Sequence, residues 1–212
     1  MKKTTPILAV VLLAMMYFLL FAGQSKTEPV TFTQSGSIEI QTIDEKIKEA
    51  EVIVIGEVMS TLPSNWISPN GKNVKNATPE EIFEAGGLFT DTLFSVIQVL
   101  KGEFNDSEIR IRSFVGETEQ VRWVDAMQVV YKQNQTYLLF LREDRGPTKV
   151  IDPGYYKSVN ALWGVYEIVG DKATTSSEEW LLKDLIAYIE NSLSTENSLE
   201  GSLTEATPAV TP

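Results

Sequence analysis

The chain has 212 residues, no cysteine and no histidine, and a formal net charge of −11. Without those two residue types it has no disulfides, thiolate metal sites, cysteine nucleophiles or histidine-based acid–base catalysis. The acidic field disfavours nucleic acid and anionic lipid as partners and favours cations.

The first residues, Met1 to Pro6, carry Lys2 and Lys3, and an apolar run from Ile7 to Gly23 follows. This is the layout of a secretory signal. Gly23 and Ser25 stand at −3 and −1 of a cleavage point after Ser25. The run also reaches the lower limit for a spanning helix, so residues 1–25 are expected to be a signal peptide or an N-terminal membrane anchor. The two lysines orient everything that follows to the outer side, so the protein is expected to be extracytoplasmic, touching the membrane only through this segment.

Residues 26–43 read as a polar tether, with a short alternating stretch at 37–40 as a fringe strand. Thr42 and Glu45 form a capping box that opens a helix running to Ala50. Glu51–Val58 is β-branched and apolar, a central strand, with Gly56 marking a bulge or a close backbone approach. A loop rich in Pro, Asn, Gly and Ser fills 60–77. Thr78, Pro79 and Glu81 start a second short helix, which Gly86 and Gly87 stop. Leu88–Leu100 reads as a long strand ending in the Lys101-Gly102 turn. Glu108–Val115 alternates, with Ile109 and Ile111 facing inward and Arg110 and Arg112 outward. Further strands are expected within 121–131, at 135–142, at 149–151 and within 162–169. Ser176 and Glu179 suggest a third capping box, opening an amphipathic helix over 176–193 with Leu182, Leu185, Ile186, Ile189 and Leu193 on one stripe. Residues 194–212 have the composition of a disordered tail.

Three pieces in this order, Ala50–Val58, Val99–Gly102 and Tyr137–Phe140, resemble the netrin-like module, the barrel of the tissue inhibitors of metalloproteinases and of many bacterial exported proteins. The resemblance covers residues 44–170. It implies a mainly β fold: a five-stranded OB-type Greek-key barrel with flanking short helices, joined here by the C-terminal amphipathic helix. The inhibitors chelate zinc through an N-terminal cysteine. This chain has none, so their inhibitory residues have no matching positions.

No catalytic, metal or cofactor site emerges from the sequence. Arg110 and Arg112, with Arg122, form the main basic stripe, readable either as an anion contact or as the solvated face of a strand. Trp66, Trp123, Trp163 and the Tyr155-Tyr156 pair are either partner platforms or a lid over the barrel. Trp66, Trp123, Arg110 and Arg112 are the candidate ligand-binding residues. Asp125, Asp144 and Asp152 flank strand ends as carboxylate pairs or as turn residues, and Asn76, Asn105 and Asn134 open glycosylation sequons. The expected function is a non-enzymatic interaction module for an extracellular protein or glycan. The alternatives are a carboxylate-based enzyme acting on envelope glycans and an inhibitor-like protein using the 61–77 loop.

Overall fold

The computed structural model describes residues 28–66, 68, 74–144 and 154–204, the side chains of 196–204 excepted. In chain order the elements are β1 (Val30–Gln34), α1 (Ile43–Glu49), β2 (Val52–Thr61), β3 (Asn65–Trp66), α2 (Pro79–Glu84), β4 (Leu88–Lys101), β5 (Glu108–Ser113), β6 (Gly116–Glu117) and β7 (Val121–Asp125). There follow β8 (Thr136–Glu143), β9 (Tyr156–Ser158), β10 (Val165–Val169), β11 (Lys172–Thr174), β12 (Glu179–Leu181) and α3 (Leu182–Thr204). The signal-like residues 1–25, the expected strand at 149–151, Asp152 and residues 205–212 lie outside the described residues.

Strand β2 pairs antiparallel with β4 on one side and β8 on the other, and β4 pairs with β5. Strand β9 closes the ring, parallel to β5 at Ile111↔Tyr156 and antiparallel to β8. The result is a closed, five-stranded OB-type barrel in the order β2-β4-β5-β9-β8. Beyond β9 the chain continues along β8 as β10, and β11 and β12 extend the sheet past the barrel. A separate sheet of β1, β7 and β6 stands beside it, with β1 parallel to β7.

The unbroken apolar runs of β2 and β8 have a structural cause: both strands are buried on both faces. Val52, Val54 and Val58 point into the barrel with Phe94, Ile109 and Leu139. Ile53 and Ile55 point the other way, with Leu138 and Phe140, against Ile47 of α1 and Leu185 and Ile189 of α3. Each fully buried side chain of this size contributes roughly 1.5–3 kcal/mol. Both readings of Gly56 hold. The β2–β4 register shifts at Ile55/Gly56, and a Cβ there would lie 3.1 Å from the Ser95 carbonyl oxygen.

Helix α1 carries the expected capping box, with Thr42 accepting from the Glu45 amide and the Glu45 carboxylate accepting from the Thr42 amide. Its last turn is held by Lys101, whose Nζ donates to the Ile47 carbonyl oxygen at 2.6 Å, a cation at the negative helix end. The C-terminal helix differs from expectation at both ends. Glu179 does not cap it: residues 179–181 pair with β11, and the helix starts at Leu182. It continues to Thr204, well past residue 193, with Ser194 and Thr195 turned back onto the carbonyls of Glu190 and Asn191. The tail is therefore not irregular over 194–204. The fringe strand lies at Val30–Gln34 rather than at 37–40, because Phe32 anchors it on Trp123 at 5.7 Å between ring centroids. Strand β7 is the one strand formed within 121–131.

The largest departure is on β5. Arg112 is not solvated but 2 % exposed. Its Nε and Nη2 donate to the two carboxylate oxygens of Asp91, each at 2.7 Å. Its guanidinium carbon lies 3.7 Å from the centroid of the Phe89 ring and 3.8 Å from that of Tyr155. Tyr155 donates from its hydroxyl to Asp144, which also accepts from Lys157 at 2.7 Å. This chain of contacts ties β4 and β5 to the segment that enters β9, where the parallel pairing is shortest.

Removing one member of a buried ion pair costs about 3–5 kcal/mol, because the other charge is left uncompensated. Arg112→Met is expected to lose about that much by urea denaturation, and Arg112→Met combined with Asp91→Leu to recover most of it. A single variant as stable as the parent would mean that the pair does not hold the seam. Gly87 has φ 98° and a Cβ there would fall 2.3 Å from the Trp123 ring, so Gly87→Ala is expected to lower the unfolding midpoint as well.

Candidate functional site

The stretch Ile38–Gln41 leads into α1, and Ile38, Glu39 and Gln41 line a groove together with Glu45 and Glu49 of that helix. Thr42 fixes the helix start, so Glu45 and Glu49, four residues apart, face the same side. Opposite them stand Arg142 near the end of β8 and Lys157 and Ser158 on β9. After β9 the chain turns through Asn160 (φ 55°) and Ala161 (φ 50°), both in the left-handed region. Asparagine tolerates that conformation, whereas alanine pays roughly 1–2 kcal/mol for it. The turn packs so closely that only glycine fits at 164, where a Cβ would sit 1.8 Å from the Val159 carbonyl oxygen. Strain held by surrounding structure is common where a chain must present particular groups.

Between these segments lies a half-open groove of about 510 Å³, lined also by Phe114 and Gln128, with the exposed Ile38 at its rim. Its polar side chains are ordered by one another. Gln41 donates from Nε2 to Glu49 at 2.6 Å, and Arg142 donates from Nη1 to the other Glu49 oxygen. Asn160 donates from Nδ2 to the Glu39 carbonyl oxygen at 3.0 Å. Both amide groups are thereby oriented, since a carboxylate and a carbonyl only accept. Their oxygens, Gln41 Oε1 and Asn160 Oδ1, and the Arg142 Nε–H are buried without a hydrogen-bond partner. An unsatisfied buried polar atom costs about 1–3 kcal/mol. All three belong to residues that line the groove, but the atoms themselves are shielded from solvent.

The carboxylates are poorly suited to acid–base chemistry. Bonds from the Thr42 amide and hydroxyl hold the Glu45 carboxyl below its ordinary pKa, the wrong direction for a general acid. Glu49 accepts from both Gln41 and Arg142. Among the described residues no group of three acidic side chains is placed to hold a metal ion.

A second polar cluster lies beneath α1. Lys46 is fully buried and donates from Nζ to Glu178 at 2.6 Å and to the Tyr166 hydroxyl at 3.0 Å. Tyr166 and the Trp180 ring N–H also donate to Glu178. Burial, then the Glu178 carboxylate, pushes the Tyr166 phenol far above its ordinary range. Burial acts to raise the Glu178 carboxyl, but its three donors and the Lys46 charge outweigh that and leave it below 4.5. This cluster joins α1 to the sheet extension and is closed to a ligand on the Lys46 side.

The residues singled out by sequence do not meet at the groove. Trp66 and Trp123 are 5 % and 7 % exposed, packed in a small core with Ile82, Leu88 and Val121. Arg112 is buried at the seam, and Arg110, about a quarter exposed, lies 3.6 Å from Asp91. Arg122 pairs with Glu117 in solvent. Trp163 is half-buried in the short 3-10 turn before β10. Asp125 serves its turn, accepting from the Met127 amide, and Asp144 belongs to the seam. Gln41, Glu49, Arg142 and Asn160 were missed. The one local signal was Asn160 itself, a residue tolerant of the left-handed region.

No protein-family model matches the chain, and no curated protein matches it. Among the described residues no helix is long and apolar enough to cross a membrane.

Because Glu178 ionises more readily in the folded chain, its contribution to stability is complete above about pH 4.5 and is lost as acid carries the pH below that value. The thermal midpoint, followed from about pH 6 down to about pH 3, is expected to fall more steeply for the parent than for Glu178→Gln. Equal slopes would remove Glu178 from the acid response.

Proposed function

We propose that the protein is an extracytoplasmic, non-enzymatic binding module whose polar groove contacts a protein or glycan partner. The observation that carries this reading is the groove itself, whose polar side chains are held in place by bonds to one another. Such a surface is preorganised for recognition, because the side chains that would contact a ligand are already fixed. The carboxylate-enzyme reading gains nothing from the same residues, since Glu45 and Glu49 are bound down as acceptors. The extracytoplasmic location rests on the lysine pair and apolar run at the N-terminus. Kinship with the netrin-like module rests on the three sequence pieces, which fall on β2, at the end of β4 and on β8.

Two measurements test this. A reporter enzyme active only outside the cytoplasmic membrane, fused after the last residue of the full chain, is expected to be active; an inactive fusion would overturn the location. A photo-crosslinking residue at Ile38, on the groove rim and 43 % exposed, is expected to capture one specific envelope component in growing cells. The same residue at Val169, 62 % exposed near the opposite end of β8, is expected not to. Identical capture at both positions, or none at Ile38, would sink the groove as the contact surface.

A further inference from the structure

We infer that two copies of this chain pair antiparallel through the free edge of β1 while held on one membrane. The inference is independent of the groove and shares with the reading above only the extracytoplasmic location. Strand β1 is the outermost strand of the sheet β1-β7-β6. The register shows which of its backbone groups are already used. Val30 donates its amide to the Gln120 carbonyl oxygen, and the Gln34 carbonyl oxygen accepts from the Ala126 amide. Residues that bond one neighbouring strand alternate along a ladder. Val30, Phe32 and Gln34 therefore bond towards β7, and the N–H and C=O groups of Thr31 and Thr33 point away from it. Both threonines are exposed, and among the described residues no strand meets them.

Such an edge is a template for another strand, and proteins commonly blunt it with charge, proline or brevity. Strand β12 carries Glu179 and runs straight into α3, and β6 has two residues, one of them Glu117. Strand β1, Val-Thr-Phe-Thr-Gln, has five residues and no charge. Its pattern selects its own copy as the occupant. The order Thr-Phe-Thr reads the same in both directions about Phe32. Antiparallel pairing centred there sets Thr31 against Thr33 of the second copy and Thr33 against its Thr31, each pair exchanging both backbone hydrogen bonds. Phe32 then meets Phe32 as a non-hydrogen-bonded pair, about 4.5 Å between Cα atoms, where side chains lie closest. Thr–Thr and aromatic–aromatic pairs are both favourable across strands. Phe83, 56 % exposed, lies 5.2 Å from the half-buried Phe32 ring between centroids, so further aromatic surface is available on that face. Glu28 falls opposite Gly36 of the second copy, so two acidic chains bring no like charges together along the seam.

A five-residue strand pair is small beside the roughly 1,200–2,000 Å² of a stable interface, so the contact is weak between free copies. A shared membrane raises the local concentration. The apolar run ends at Gly23, and the chain from there to Val30 spans at most about 25 Å. With that run as the anchor, neighbouring copies hold β1 near the membrane at one height.

The chain has no cysteine, so single cysteines report the register cleanly. Full-length Thr31→Cys and Thr33→Cys copies are mixed in lipid vesicles and oxidised. Opposed residues would lie about 5.5 Å apart between Cα atoms, within disulfide reach, and like-numbered ones about 7–8 Å apart, beyond it. The mixture is expected to cross-link about fivefold more than either variant alone. Val124→Cys, on β7 and about 14 Å from its counterpart across the seam, is expected not to cross-link. Thr33→Pro on the Thr31→Cys copy removes an N–H that β7 does not use, and is expected to cut the mixed yield about fivefold while leaving the unfolding midpoint near the parent value. In growing cells, a photo-crosslinking residue at Thr33 is expected to give a product of twice the chain mass. Equal yields from the mixture and the single variants, no cross-link in any of them, or an unchanged yield with Thr33→Pro would overturn the inference. Capture at Thr33 of a different protein alone would also overturn it. None of these outcomes bears on capture at Ile38, so failure of the pairing and failure of the groove reading are distinguishable.

Discussion

The barrel depends on a charge pair set in a place where backbone pairing is thin. Four of its five seams are antiparallel ladders. The fifth, between β5 and β9, is a parallel contact recorded at Ile111↔Tyr156 alone. Arg112 stands next to that contact, gripped by Asp91 of β4 and stacked between Phe89 and Tyr155. Burying a guanidinium is costly unless its charge and its donors are answered. Here Asp91 answers the charge and accepts from Nε and Nη2, while the Phe89 ring from β4 and the Tyr155 ring from the β9 side cover the group. Tyr155 passes the connection to Asp144 and Lys157, and Lys157 lies on β9 at the groove wall. The contacts that close the barrel thus run on to a side chain that lines the groove.

Much of the architecture was legible in the chain. The β-branched run of β2, the apolar run of β8 and the alternation of Ile109 and Ile111 gave the barrel strands, because burial on one or both faces leaves a period that sequence preserves. The capping boxes at Thr42 and Thr78 gave the first two helix starts, since those bonds are local. Short strands such as β3, β9 and β12 were not legible. Each is defined by the partner it meets, and two or three residues carry no period. Glu179 shows the limit clearly: its spacing from Ser176 fits a cap, but pairing with β11 won.

The same division explains the sites. Alternation on β5 correctly set Arg112 apart from Ile109 and Ile111, but it could not say that Phe89 and Tyr155 would cover that face. Trp66 and Trp123 sit in segments of mixed polarity, yet β1, α2 and β7 supply them with a small core of their own. The groove draws Gln41, Arg142 and Asn160 from three separated stretches, and amides are common in any loop. Nothing in their local sequence marks them, and only the fold makes them neighbours.

The double burial of β2 has one further consequence. In most strands a slip of one residue is punished by turning polar groups inward and apolar groups out. Between Val52 and Ile55 that penalty is absent, because both faces are oily: valines fill the barrel and isoleucines fill the layer under α1 and α3. Hydrophobicity cannot tell the correct alignment from its neighbour over this stretch. The choice falls to shape, through the difference of one methylene between the two sets and the offset at Gly56, where a Cβ would crowd the Ser95 carbonyl oxygen. That glycine works as a notch in a ruler, marking where the strand must be read from.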